Sequence, residues 1–87
     1  MILLHYTAEW CTPCKKNRPV VQSFIEANPD ITYVLKDVDV FLDEAKTNGI
    51  LSVPTYIFIN DKKIDHLAPH HTHVGVITKQ QLEEFSK

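Results

Sequence analysis

An apolar run from Ile2 to Tyr6 leads, after a short connection, into a helical pattern from Thr12 to about Ala27, and a second run from Ile31 to Val38, rich in β-branched and aromatic residues, follows. Strand, helix and strand in direct succession call for a right-handed parallel crossover, which commits the chain to a sheet with helices packed on it. Within the helix, Val20, Val21, Phe24 and Ile25 take one side, while Lys15, Lys16, Arg18, Gln22 and Glu26 take the other. Asn28-Pro29 ends it, because the residue before a proline is pushed out of the helical region.

The remainder extends that sheet. Phe41 to Asn48 has short helical spacing and a stop at Gly49, and Thr55 to Ile59 reads as a central strand. Asn60-Asp61 is turn chemistry, so a segment beginning at Lys63 is expected to return as a hairpin partner, limited by Pro69. Thr78 to Gln81 is a capping-box pattern with Ile77 and Leu82 as its staple, which predicts a last helix running to about Phe85. The expected fold is α/β in the order β-α-β-α-β-β-α, a four-stranded mixed sheet flanked by helices. At 87 residues the chain has length for one cored domain, spanning 1–87.

Charge narrows the function classes. The net formal charge is −2 and the nine Lys and Arg residues are scattered, so the basic stripe that a phosphate backbone requires is missing and nucleic acid is not an expected partner. The start, Met1 to His5, lacks a cationic leader and turns polar too soon for a signal peptide. No run reaches the roughly 18 apolar residues of a membrane span. A cytoplasmic protein without membrane contact is expected.

Two cysteines, Cys11 and Cys14, bracket Thr12 and Pro13. They close too small a loop to staple a fold, so their explanation is chemical. Thiol-disulfide exchange needs a thiolate that attacks in line and a second thiol near enough to expel the captured partner. A first cysteine at a helix N-terminus meets unsatisfied N–H groups and the positive end of the helix dipole, which favour its anion. Cys11 fits that position, with Cys14 a turn inside. Pro13 suits the first turn, where a missing N–H costs nothing, and stiffens the link between the sulfurs. The competing reading, half of a zinc site, lacks the further ligands a tetrahedral centre needs, so no metal is assigned to the pair.

Ala8-Glu9-Trp10-Cys11-Thr12-Pro13-Cys14-Lys15, followed by Pro19, Asp39, Val53-Pro54-Thr55 and Gly75, resembles the active site of the thioredoxin family over nearly the whole chain, Ile2 to Phe85. The resemblance implies that Cys11 is the attacking thiol and Cys14 the resolving one, with no bound cofactor. It implies a cis Pro54 facing the disulfide, a Val53 backbone free to pair with an extended substrate, and a docking surface completed by Trp10, Thr12 and the Gly75 loop. Trp10 read alone could be a core aromatic, and Gly75 could merely serve a turn. Pro19 would kink the first helix. Protein disulfides would be the substrates, with ribonucleotide reductase as one such client and a thioredoxin-reductase-type protein as electron donor.

Three departures from the family stand out. Its members usually begin with a further strand and helix, so here the Ile31 to Val38 strand would lie at an edge able to pair with another chain; a monomer is nonetheless expected. A buried aspartate and a neighbouring lysine are replaced by His5 and Leu35. His5 is then either a proton acceptor for Cys14 or a space-filling ring. Lastly, His66 and His70-His71-Thr72-His73 precede Val74-Gly75, a density of imidazole that suits divalent metal, partner selection or plain exposure. Two further functions share the motif: a disulfide oxidase or isomerase, since Thr12 stands where the family usually has glycine, and a redox-inert docking module.

Overall fold

The computed structural model describes residues 1–59 and 71–86. Its elements are β1 (Ile2–Thr7), α1 (Thr12–Ala27), β2 (Thr32–Asp37), α2 (Leu42–Thr47), β3 (Thr55–Ile59), β4 (His71–Val74) and α3 (Lys79–Phe85). The strands form one mixed sheet in the order β2-β1-β3-β4, with β1 parallel to β2 and antiparallel to β3, and β4 antiparallel to β3. A strand antiparallel to β3 is thus present, but as β4 beyond Pro69, not as a segment beginning at Lys63. The turn at Asn60-Asp61, the start at Lys63, Pro69, His66 and His70 lie outside the described residues.

Register explains the core. Leu3 is opposite Phe58 and His5 opposite Tyr56, so the alternating residues Leu3, His5, Tyr56 and Phe58 share one sheet face. Val21 and Phe24 of α1, Ile77 and Leu82 close over that face, and all of these apolar side chains are buried. On the other face the Tyr6 phenol accepts from Asn48 Nδ2 at 3.2 Å, tying β1 to the end of α2.

Caps set the helix ends. Thr78 Oγ1 accepts from Gln81 N–H at 3.1 Å while Gln81 Oε1 accepts from Thr78 N–H at 3.0 Å, the reciprocal box that the sequence predicts. Gly49 leaves α2 with φ of 70°, a left-handed conformation that glycine adopts without steric cost. Among the described residues no helix is long and apolar enough to cross a membrane.

Candidate functional site

β1 ends at Thr7, and the chain turns through Ala8 to Trp10 so that Cys11 becomes the N-cap of α1. The turn is closed by Cys11 N–H donating to the Ala8 carbonyl at 3.1 Å. Cys11 and Cys14 are joined as a disulfide with Cα atoms 5.3 Å apart. Cys11 Sγ accepts from the Cys14 N–H at 3.1 Å, so the sulfur occupies the place a capping oxygen normally takes. An amide aimed at sulfur, together with the end of a sixteen-residue helix, favours negative charge on Cys11 once the bond is opened.

The two sulfurs are packed with Ala8, Val38 and Val53 in a small cluster of their own. Cys14 is 1% exposed and Cys11 4%, so both cysteines are buried in this disulfide-bonded state. Cys11 Sγ lies 3.7 Å from the Val53 carbonyl oxygen. The Val53–Pro54 peptide is cis, Val53 is half-buried and Pro54 is buried. Gly75, with φ of 99°, donates its N–H to the Pro54 carbonyl at 2.8 Å and so fastens the next loop beside the cysteine cluster. Thr12 and Pro13 are exposed on the first turn of α1.

Trp10 is 67% exposed, which settles its placement on the surface, and its indole N–H donates to Asp39 Oδ2 at 2.9 Å. Cys11, Val53, Pro54 and Gly75 are thus linked contact by contact, while Trp10 is anchored through Asp39.

His5 is buried in the middle of β1 and is held by residues of the neighbouring strands. Its Nδ1 is 2.7 Å from the Tyr33 hydroxyl and its ring stacks on Tyr56 with centroids 4.3 Å apart. Its Nε2 is buried without a hydrogen-bond partner among the described residues. Desolvation, reinforced by the positive charge of Arg18, lowers the imidazole pKa from 6.5 to about 4. Burial likewise raises Tyr33 to about 12, so the pair is neutral near pH 7. His71 stacks on Phe85 at 3.8 Å, and His73 Nε2 donates to the Val76 carbonyl at 3.0 Å. No group of three or more His, Cys, Asp or Glu among the described residues is placed to hold a metal ion.

The family model for thioredoxin matches residues 1–87. The chain belongs to the thioredoxin family. It is 33% identical to a thioredoxin of Ophiophagus hannah over all of this chain and 77% of that one, and 31% identical to a thioredoxin of Mycoplasmoides gallisepticum over 99% and 81%. A putative thioredoxin 2 of Streptomyces coelicolor is 36% identical over 70% of this chain, but the match spans only 46% of that protein. Among solved structures, the oxidised mitochondrial thioredoxin 3 of Saccharomyces cerevisiae superposes with a TM-score of 0.78 at 29% identity, covering 95% of this chain and 73% of the other. A chloroplastic thioredoxin z reaches 0.85 over 98% and 74%, at 23% identity, a likeness of fold.

Within this thioredoxin framework, sequence reasoning passed over Asn17, Tyr33 and Tyr56. Asn17 left a readable trace: Cys14, Asn17, Val21 and Phe24 fall at helical spacing on the buried side of α1, so one polar residue interrupts an otherwise apolar stripe. Nothing local signals the tyrosines, whose partners come from other elements.

Proposed function

We propose that this thioredoxin-family chain reduces protein disulfides by dithiol exchange. The observation that carries the reading is the Cys11–Cys14 pair at the α1 N-terminus, with Cys11 Sγ capped by an amide and seated against the Val53 backbone. In the reduced protein the Cys11 thiolate attacks one sulfur of the client disulfide, forming a mixed disulfide and releasing the other client sulfur as a thiolate. Cys14, as thiolate, then attacks Cys11 Sγ and expels the second client sulfur. Two electrons have passed to the client, and the Cys11–Cys14 disulfide is left for a thioredoxin-reductase-type donor to reduce.

An extended client segment would pair with the Val53 backbone beside Pro54, between Trp10 with Thr12 on one side and the Gly75 loop on the other. Clients would be protein disulfides, ribonucleotide reductase among them, in a reducing compartment such as the cytoplasm. No cofactor takes part in the exchange. For His5, an imidazole held near pKa 4 and committed to Tyr33 is a poor proton acceptor at neutral pH, which favours the packing role.

The test is insulin disulfide reduction driven by a thioredoxin reductase, combined with trapping. Cys14→Ser should accumulate a client on Cys11 as a stable mixed disulfide. Trapping of a client on Cys14 by the single variant Cys11→Ser, with none by Cys14→Ser, would reverse the assigned roles, and a strongly oxidising redox couple would replace reduction by oxidase chemistry.

A further inference from the structure

Asn17 is 3% exposed, and its side-chain amide is committed on both ends. Nδ2 donates to the Ile77 carbonyl at 2.8 Å, and Oδ1 accepts from the Ile77 N–H at 2.8 Å and from the Tyr56 hydroxyl at 2.7 Å. A primary amide that pairs with both backbone groups of one residue fixes that residue's position and its orientation together. Here it does so across 60 residues of chain, from the second turn of α1 to the segment leading into α3.

That segment is the rim loop beside the cysteines. Gly75 is tied to the Pro54 carbonyl, the Val76 carbonyl is held by His73 Nε2, and Ile77 is held by Asn17. Between these ties Val74 and Val76 stand 59% and 55% exposed, two apolar side chains flanking Gly75. A loop so restrained loses little further freedom when a partner docks on it, and that saving appears as affinity. Asn17 is also three residues beyond Cys14 on the same buried side of the helix, so the rim is referenced to the helix that carries both sulfurs.

We infer that Asn17 is a positioning residue that fixes the Gly75–Ile77 rim relative to the cysteine pair and thereby sets the affinity for protein disulfides, without acting on sulfur chemistry. The inference rests on the proposed disulfide reduction. It predicts that the residue matters for a client large enough to touch the rim and not for a small disulfide that reaches Cys11 alone.

The experiment compares wild type with Asn17→Ala on insulin and on hydroxyethyl disulfide, below the melting transition of both proteins. The KM for insulin should rise about five-fold, because a rim freed of the three Asn17 hydrogen bonds must be ordered as the client docks, with kcat and the rate on hydroxyethyl disulfide within about two-fold of wild type. Equal losses on both disulfides, or an unchanged KM for insulin, would overturn the inference. Should Asn17→Ala fail to fold, Tyr56→Phe removes only the phenol's bond to the same oxygen. It should raise the insulin KM about two-fold with the small disulfide unaffected, and equal effects on the two are again fatal. A wild-type protein inactive on both disulfides sinks the reduction reading itself, and this inference with it.

Discussion

The His5 imidazole is enclosed by Tyr33, Tyr56 and the strand pairing on either side of β1, and the free energy of keeping it there depends on its charge. Folding lowers its pKa from 6.5 to about 4, so between those values the unfolded chain binds a proton that the folded chain refuses. Stability is therefore undiminished by this group above pH 6.5 and falls as the pH drops through the folded pKa near 4. The full loss amounts to about 3 kcal/mol, a large part of what a domain of this size possesses. Denaturant midpoints measured across that range should decline toward acid in the wild type and change far less in His5→Gln. Parallel slopes in the two proteins would assign the acid lability to another group. On the proposed packing role, His5→Gln should also leave the pH–rate profile of disulfide reduction with its wild-type inflections.

At the scale of elements, α1 joins the chemistry to the core. Its N-terminal turn carries the disulfide and its later turns bury Val21 and Phe24. Opening the disulfide should leave Cys11 facing the amide and the helix end that favour its anion, with Cys14 enclosed behind it. Iodoacetamide at mildly acidic pH should then alkylate Cys11 at least about ten-fold faster than Cys14, read by peptide mass spectrometry, and equal slow rates would remove the helix from the mechanism. The same element shows what the sequence disclosed. Cys-Thr-Pro-Cys at a helix start, Gly49 after α2 and the Thr78 box are local patterns whose geometry depends on neighbours a few residues away, and each was legible. Trp10 was legible as a surface residue only through the family resemblance, since read alone it could have been a core aromatic. Asn17 was visible only as an interruption, because its meaning depends on Ile77 and Tyr56, brought to it by the sheet and by α3. The identity of the ring beside His5 was hidden for the same reason: Tyr33 reaches it through the parallel pairing of β1 and β2. α3 offers a matching test of a legible element. Thr78→Ala deletes the oxygen that caps Gln81 N–H and should cost about 1 kcal/mol in urea unfolding.

For the whole molecule, β2 and β4 are the edges of the sheet among the described residues, and β2 pairs with β1 on one side and with no described strand on the other. An unpaired edge is a template for another chain unless something blunts it. Thr32–Asp37 is short, and it ends in Lys36 and Asp37. Lys36 is drawn toward α2 by Glu44 Oε1 at 2.6 Å and lies over the Phe41 ring at 5.3 Å, so a charged stem and an aromatic ring gather beside the last third of the strand. A second copy adding itself there would have to displace that contact or leave charges facing it, and within β2 itself the exposed apolar side chain is Leu35, at 48%. The balance favours one chain. Sedimentation at rising concentration should therefore give a single species near the chain mass of 10.0 kDa. If a dimer forms instead, Leu35→Lys distinguishes its route: dissociation on that substitution would place the partner along β2, while a dimer indifferent to it but displaced by insulin would lie over the exposed valines around Gly75.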